Sequence, residues 1–324
     1  MMPEAQWPRG PGRPIAAMDI GSNSIHLTLA RVHGDGRVEI MSQIKDPARL
    51  AATLDDRGQM SEEGLDRAVG TLSRFKRIAD QNNAEIRTAA TAAIRAARNA
   101  DVFLQRAYDE AGMRVDVIDG AEEARLVYVG VQSGLPRFSA SRLLCVDVGG
   151  GSTELLLGQA GQVRAVSSVP VGSVVVTRGH LEDGATPKRA LASARRALER
   201  RLGHCAAPIR QLGFDLAVGT GGSIQRLARM ALALSGTDPR GDLNGQRLSV
   251  ADLTRVVRAL ASASSPAERL RLPGIDPDRS ESLLGGALVF EALSSALALE
   301  SWTISTAALR LGLIVDTWRR RAVH

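Results

Sequence analysis

The sequence contains few cysteines, few aromatic residues and no long hydrophobic run. Cys145 and Cys205 are its only two cysteines, and Cys145 lies in an apolar run, which predicts a buried free thiol and suits a reducing cytosol. Every apolar run is shorter than the roughly 18 residues of a membrane span. Aromatic residues make up 3% of the chain, too few for a surface that stacks nucleic-acid bases. We therefore expect a cytoplasmic protein without membrane or nucleic-acid partners.

Lysine is also rare, so nearly all positive charge comes from arginine. Lysine occurs only at Lys45, Lys76 and Lys188 among 41 basic residues, against 35 acidic residues, which gives a net charge of +6. A basic surface favours anionic partners, although a GC-rich genome would give the same composition. The length of 324 residues, with 44% hydrophobic residues, is sufficient for two globular domains.

Two short glycine-containing runs are the most informative feature of the chain. They are Asp19-Ile-Gly-Ser-Asn-Ser24 and Asp147-Val-Gly-Gly-Gly-Ser-Thr-Glu154, and their first residues lie 128 positions apart (147 − 19). Each follows an apolar run that predicts a buried strand, and each leads into a second predicted strand. Because glycine lets backbone N–H groups approach a phosphate closely, the two runs predict a phosphate clamp. The duplicated unit predicts two similar α/β domains with a cleft between them.

Both runs combine anion-binding groups with carboxylates. The groups expected to contact phosphate are Gly21, Ser22, Asn23, Ser24, Gly149, Gly150 and Ser152. Asp19, Asp147 and Glu154 lie beside them, so we expect Mg²⁺ or another divalent cation to bridge carboxylate and phosphate. A simpler interpretation is that Asp19 and Asp147 cap loop amides. A third turn before a predicted helix would add the N–H groups of Gly221 and Gly222.

The rest of the chain alternates between predicted strands and helices, which include a strand over 113–118, a helix that starts at Thr186-Pro187 and helices over 248–263 and 279–298. We expect a disordered tail over residues 1–14, a first domain over 15–135 and a second over 136–305, with a C-terminal helix over 306–324 that packs back on the first domain. One helix is expected to begin after Asp119. Glu122 and Glu123 in its first turn either stabilise the helix dipole or act in catalysis, and the residues themselves leave this open.

Six sequence pieces in order resemble the exopolyphosphatase/guanosine pentaphosphate phosphohydrolase family, within the superfamily of acetate and sugar kinases, Hsp70 and actin. They span most of residues 15–316. The pieces are the two loops above, Thr91-Ala-Ala-Ile-Arg-Ala-Ala-Arg-Asn99, Gly120-Ala-Glu-Glu-Ala-Arg125, Val169-Pro-Val-Gly172 and Val218-Gly-Thr-Gly-Gly222. A C-terminal piece, Ser305–Leu313, departs from the family at Leu311, where an acid is common.

The resemblance implies two ribonuclease H-like domains of the actin-like ATPase type, with the substrate in the cleft. It implies that Glu123 is the general base and that Arg95 contacts phosphate, together with Asn23 and Ser152. Asp147, Gly149 and Glu154 correspond to the metal- and phosphate-binding loop. Lys45 and Arg49 fall in the family's basic segment.

The expected reaction is hydrolysis of the terminal phosphoanhydride of inorganic polyphosphate. The main alternative is guanosine pentaphosphate 5'-phosphohydrolase, which acts on a stringent-response nucleotide. The sequence ends before the extra helical domain of long family members, which favours polyphosphate. An ATP-dependent small-molecule kinase and a non-catalytic sensor are further alternatives, and a homodimer is left open.

Overall fold

The structure is a computed structural model that describes residues 12–181, 188–263, 265–277 and 280–321. Most of the predicted N-terminal tail lies outside the described residues, although Arg13 donates a hydrogen bond to the carbonyl of Asn83 at 2.8 Å. The described chain forms two compact units. The first contains the described residues up to Ser133 and those from Leu309 onward, and the second contains those from Gly134 to Ala308.

Strands and helices alternate along both units. The strands are β1 (Ile15–Ile20), β2 (Ile25–Val32), β3 (Val38–Asp46), β4 (Glu85–Ala90), β5 (Leu143–Val148), β6 (Thr153–Gln159), β7 (Gln162–Val169), β8 (Leu216–Thr220), β9 (Arg247–Ser249) and β10 (Ser301–Ile304). The α-helices are α1 (Glu62–Gln81), α2 (Ala92–Ala96), α3 (Ala100–Ala111), α4 (Gly120–Gly134), α5 (Ser173–His180), α6 (Lys188–Leu212), α7 (Gly221–Leu234), α8 (Val250–Ser262), α9 (Pro266–Arg269), α10 (Leu283–Ala296) and α11 (Leu309–Arg321). Two short 3₁₀ segments span Leu50–Thr53 and Pro136–Phe138.

Both sheets contain the same four-stranded arrangement. The first sheet has the order β3-β2-β1-β4, and the second has the order β7-β6-β5-β8-β10-β9. In each, the first strand pairs antiparallel with the second and parallel with the fourth. The pairing register shifts between Leu29 and Ala30 in one sheet and between Leu157 and Gly158 in the other, again 128 residues apart (157 − 29). The predicted duplication therefore extends to the irregularities of the sheets.

Each unit has its own apolar core. In the first, β1 packs among buried side chains that include Leu27, Leu65 and Phe75. In the second, Phe290 of α10 meets Trp302 of β10 edge to face, with ring centroids 5.1 Å apart. The central strands β1 and β5 are mostly buried, which explains why each reads as a continuous apolar run. Burial of each such large side chain contributes about 1.5–3 kcal/mol.

Most predicted elements are present, and some boundaries differ. Residues 113–118, predicted as a strand, form only a single bridge from Val117 to Ala90. The helix predicted over 248–263 begins with the strand β9, and the helix predicted from 279 is described from Leu283. The predicted start of α6 at Thr186-Pro187 lies outside the described residues. The edge strands β3 and β7, which were not predicted, have largely exposed or half-buried side chains and so lack a core-facing apolar run.

Two expectations from composition can be compared with the structure. Cys145 is a buried free thiol, as predicted, and Cys205 is also free. Across the described ranges, no helix has the length and apolarity needed to cross a membrane.

Candidate active site

The two glycine loops form the same turn. The amide of Gly21 donates to the carbonyl of Ser24 at 3.1 Å, and the amide of Gly149 donates to the carbonyl of Ser152 at 3.0 Å. Each turn joins an antiparallel strand pair, β1 to β2 and β5 to β6. The loops thus have matching backbone geometry at the ends of the two buried central strands.

A neighbouring segment holds the first loop in place. The carbonyls of Ser22 and Asn23 accept hydrogen bonds from the amides of Ala51 and Arg49, at 2.8 and 2.9 Å. Arg49 adopts a left-handed backbone conformation with φ of 49° to make this contact. Both Ser22 and Ser24 are buried.

The second loop rests on the first turn of α5. The carbonyls of Gly149 and Gly150 accept from the amides of Ser173 and Val174, at 2.8 and 2.9 Å. A Cβ atom at Gly172 would lie 2.5 Å from the carbonyl carbon of Gly150, so only glycine fits at this approach. Because these contacts are made by backbone, the loop is preorganised before any ligand binds.

Glu123 is a buried carboxylate held by an arginine. Asp119 caps α4 by accepting from the Glu122 amide at 2.8 Å, which places Glu123 on the buried side of the first turn, where it is 9% exposed. Nη1 of Arg95 donates to Glu123 Oε2 at 2.7 Å and to the carbonyl of Ile118 at 2.9 Å. Desolvation raises the pKa of Glu123 to about 7, and the nearby charge of Asp19 adds to the rise, while Arg95 opposes it. A carboxylate with such a pKa suits general-base catalysis near neutral pH.

Asp19 lies near a second arginine, Arg310. Burial raises the pKa of Asp19 to about 6, and the positive charge of Arg310 acts in the opposite direction. Nη1 of Arg310 lies 3.1 Å from Nδ1 of His26. Because arginine can only donate, Nδ1 accepts this hydrogen bond and the ring proton of neutral His26 is on Nε2. His26 is also the cross-strand neighbour of Asp19, so the three side chains form one polar cluster.

Asp147 and Glu154 form the corresponding cross-strand pair in the second unit. They lie directly opposite each other in the β5–β6 ladder, at the positions that Asp19 and His26 occupy in the first. Glu154 is 2% exposed, and its Oε1 accepts from Ser168 Oγ at 2.9 Å. Like charges opposite each other are unfavourable, and oxygen ligands suit Mg²⁺, so this pair fits a divalent cation. No group of three or more His, Cys, Asp or Glu side chains suited to a metal occurs within the described residues.

The third predicted turn lies beside the Asp147 carboxylate. Gly221 begins α7 directly after β8, and its φ of 80° is left-handed. A Cβ there would lie 2.2 Å from Asp147 Oδ1, so the Asp147 carboxylate packs against the Gly221 backbone. The neighbouring amides of Gly222 and Ser223 open the helix, where the dipole favours an anion.

The remaining predicted residues have other surroundings. Glu122 and Arg125 form an ion pair at 2.7 Å, and Arg125 also binds Asp316 at 2.9 Å. This pair therefore links α4 to α11. Lys45 and Arg49 are exposed, and Lys45 lies opposite His26 in the β2–β3 ladder.

A model of the Ppx/GppA phosphatase family matches residues 29–321. The chain belongs to this family. Exopolyphosphatase 1 of Mycobacterium leprae is 33% identical over 304 residues, which cover 93% of this chain and 88% of that protein. The guanosine-5'-triphosphate,3'-diphosphate pyrophosphatase of Photobacterium profundum is 33% identical over 320 residues, which cover 98% of this chain and 62% of that protein.

A solved structure of the Ppx/GppA family extends the match to the fold. The crystal structure of the Aquifex aeolicus family member matches with a TM-score of 0.80 and 27% identity, over 95% of this chain and 98% of that chain. The expected family and the expected actin-like α/β fold are thereby confirmed.

His26 and Arg310 are candidate site residues that the sequence motifs did not identify. One signal was available for Arg310, because it lies in the first turn of α11, where a cation opposes the helix dipole. An arginine at such a position lowers helix stability and is therefore a candidate for an anion contact. His26 lay just after the first loop, but only the strand register shows that it faces Asp19.

Proposed function

We propose that this protein is an exopolyphosphatase, which hydrolyses the terminal phosphoanhydride of inorganic polyphosphate and releases orthophosphate. The observation that carries this proposal is Glu123, a buried carboxylate that Arg95 orients and whose pKa is raised to about 7. Family membership supports the same reaction class, since relatives of equal identity are named for cleavage of phosphoanhydride bonds.

In the proposed reaction, Glu123 accepts a proton from a water molecule as the water oxygen attacks the terminal phosphorus. The new P–O bond forms opposite the bridging oxygen, and the bond to that oxygen breaks in line. The products are orthophosphate and a chain one unit shorter. Arg95 orients the Glu123 carboxylate and, with Arg310, adds positive charge near the reacting phosphoryl group.

The glycine loops would each bind phosphate oxygens of the substrate. We assign this role to the turns Gly21–Ser24 and Gly149–Ser152 and to the amides of Gly221 and Gly222 at the start of α7. Asp147 and Glu154 would hold Mg²⁺, which would supply positive charge to phosphate oxygens of the substrate. Asp19 is a weaker candidate for a metal ligand, because Arg310 already supplies a positive charge near it.

Guanosine pentaphosphate is the second candidate substrate. The relative from Photobacterium profundum has the same 33% identity as the mycobacterial exopolyphosphatase. Polyphosphate is favoured because the three loops contain no aromatic side chain that could stack on guanine. Cytoplasmic location, a homodimer and the absence of nucleic-acid binding stay predictions.

The experiment measures phosphate release from polyphosphate, guanosine pentaphosphate and ATP, with and without Mg²⁺. Glu123→Gln should bind polyphosphate and lose roughly 10²–10⁴-fold in turnover, the range for a positioned base. Glu122→Gln is the matched control, since its carboxylate is the adjacent one and pairs with Arg125 instead. Equal activity in both variants would refute the assignment. Faster phosphate release from guanosine pentaphosphate than from polyphosphate would make guanosine pentaphosphate the substrate. Phosphoryl transfer to an acceptor, without release of free phosphate, would indicate a kinase.

A further inference from the structure

The net positive charge of the chain is concentrated on one helix. The 25 residues of α6 contain Lys188 and six arginines but a single acid, Glu199, so the helix carries +6 (7 − 1). The whole chain has 41 basic and 35 acidic residues, also +6, so the rest of the sequence is neutral (34 of each). A genome-wide preference for arginine would spread the excess positive charge over the whole surface. In this chain the excess lies on α6.

The charges of α6 also follow its exposed face. The buried side chains Leu198 and Leu202 pack into the core of the second unit. Arg189, Arg196 and Arg200, which we call the α6 stripe, are all exposed. At about 100° per residue they lie on the side of the helix opposite the buried face, and they extend over about 16 Å of the helix axis.

Intramolecular contacts do not explain the α6 stripe. Arg195, on the flank of the helix, binds Glu291 at 2.7 Å, whereas no ion pair is found for the three stripe arginines within the described ranges. Arg196 and Arg200 are like charges at i,i+4, an unfavourable spacing. The stripe therefore reduces the stability of the isolated helix, and a bound polyanion would reverse this effect.

We propose that the α6 stripe binds the chain of a linear polyphosphate away from its reacting end. This inference rests on the proposed function and adds a second contact for the same substrate. Guanidinium groups bind phosphate oxygens in bidentate fashion, and every unit of a condensed phosphate presents such oxygens. Nucleic acid fits less well, because α6 contains no aromatic residue for base stacking. The second unit also contains the Asp147 loop, so the stripe and one phosphate loop belong to one body.

The test replaces all three stripe arginines by glutamine. The control replaces three exposed arginines on other parts of the surface, Arg37→Gln, Arg77→Gln and Arg258→Gln, and so removes the same charge. Binding of end-labelled long-chain polyphosphate is measured by fluorescence anisotropy in the Glu123→Gln background, at several salt concentrations. The KM for long-chain polyphosphate and for triphosphate is measured in the active background.

The stripe variant should bind long-chain polyphosphate roughly three- to thirty-fold more weakly than the control, as expected for three exposed charge contacts. Its salt dependence should be shallower. The ratio of KM for long chains to KM for triphosphate should rise by a similar factor. Equal affinities of the two triple variants would overturn the proposal, as would an equal rise in both KM values. Because binding is measured without turnover, failure of the proposed hydrolysis would be detected separately.

Discussion

Glu123→Gln should make folding stability less sensitive to rising pH. Burial raises the pKa of Glu123 from its ordinary 4.5 to about 7 in the folded protein. The folded state therefore binds this proton more tightly than the unfolded chain does, and the free energy of unfolding falls as pH rises from 4.5 to about 7. Glutamine is neutral throughout this range, so the free energy of unfolding of the variant does not fall for this reason.

The size of the effect follows from the pKa difference. A rise from 4.5 to about 7 corresponds to a loss of up to about 3 kcal/mol. Asp19, whose pKa is raised to about 6, interacts with Glu123 and titrates over an overlapping range, so part of this loss belongs to the pair, and we expect a difference of about 1–3 kcal/mol. The relevant quantity is the change in unfolding free energy between the two pH values, compared between variant and wild type. This comparison cancels the pH-independent cost of the substitution.

The assay is urea denaturation followed by circular dichroism, at pH 4.5 and pH 8, without divalent cations. Glu123→Gln should gain stability relative to the wild type on going to pH 8. Glu122→Gln is again the control, because it removes the adjacent carboxylate, which pairs with Arg125, and it should not show this gain. A Glu123→Gln protein that loses stability at pH 8 would show that Arg95 outweighs desolvation, and the reasoning about the general base would fail.

Three further predictions concern packing and the candidate metal pair. Asp147→Asn should raise the melting temperature without metal by removing a like-charge pair, and Mg²⁺ should no longer raise it further, as thermal unfolding would show. Gly221→Ala should lower polyphosphate affinity, measured by anisotropy, because φ is 80° and the new Cβ would lie 2.2 Å from Asp147; unchanged binding would contradict the assigned turn. Gly312→Ala should destabilise the protein by roughly 2–4 kcal/mol in urea, since its Cβ would lie 1.8 Å from the Leu126 carbonyl oxygen. Its control, Gly70→Ala in open space on α1, should be neutral or stabilising by about 0.5–1 kcal/mol.

Much of the fold could be predicted from local pattern. The strands β1 and β5 read as apolar runs because they are buried at the centre of their sheets, and the helices α1 and α4 begin at capping residues, Ser61 and Asp119. The edge strands β3 and β7 have no continuous apolar run, so local pattern does not predict them. Residues 113–118 are the opposite case, because their pattern predicts a strand but the segment forms only one bridge to a neighbouring strand.

The sequence by itself determined the two glycine loops and their spacing, because turn chemistry depends on neighbouring residues. It did not determine, from the residues alone, which acid of α4 is the better candidate for the general base. Glu122 and Glu123 are adjacent and chemically alike, and only the family resemblance favoured the second. The tertiary structure separates them: helix phase directs Glu122 to Arg125 and buries Glu123 against Arg95. Desolvation and the approach of Asp19 arise only when distant segments pack together, so no local pattern could show them.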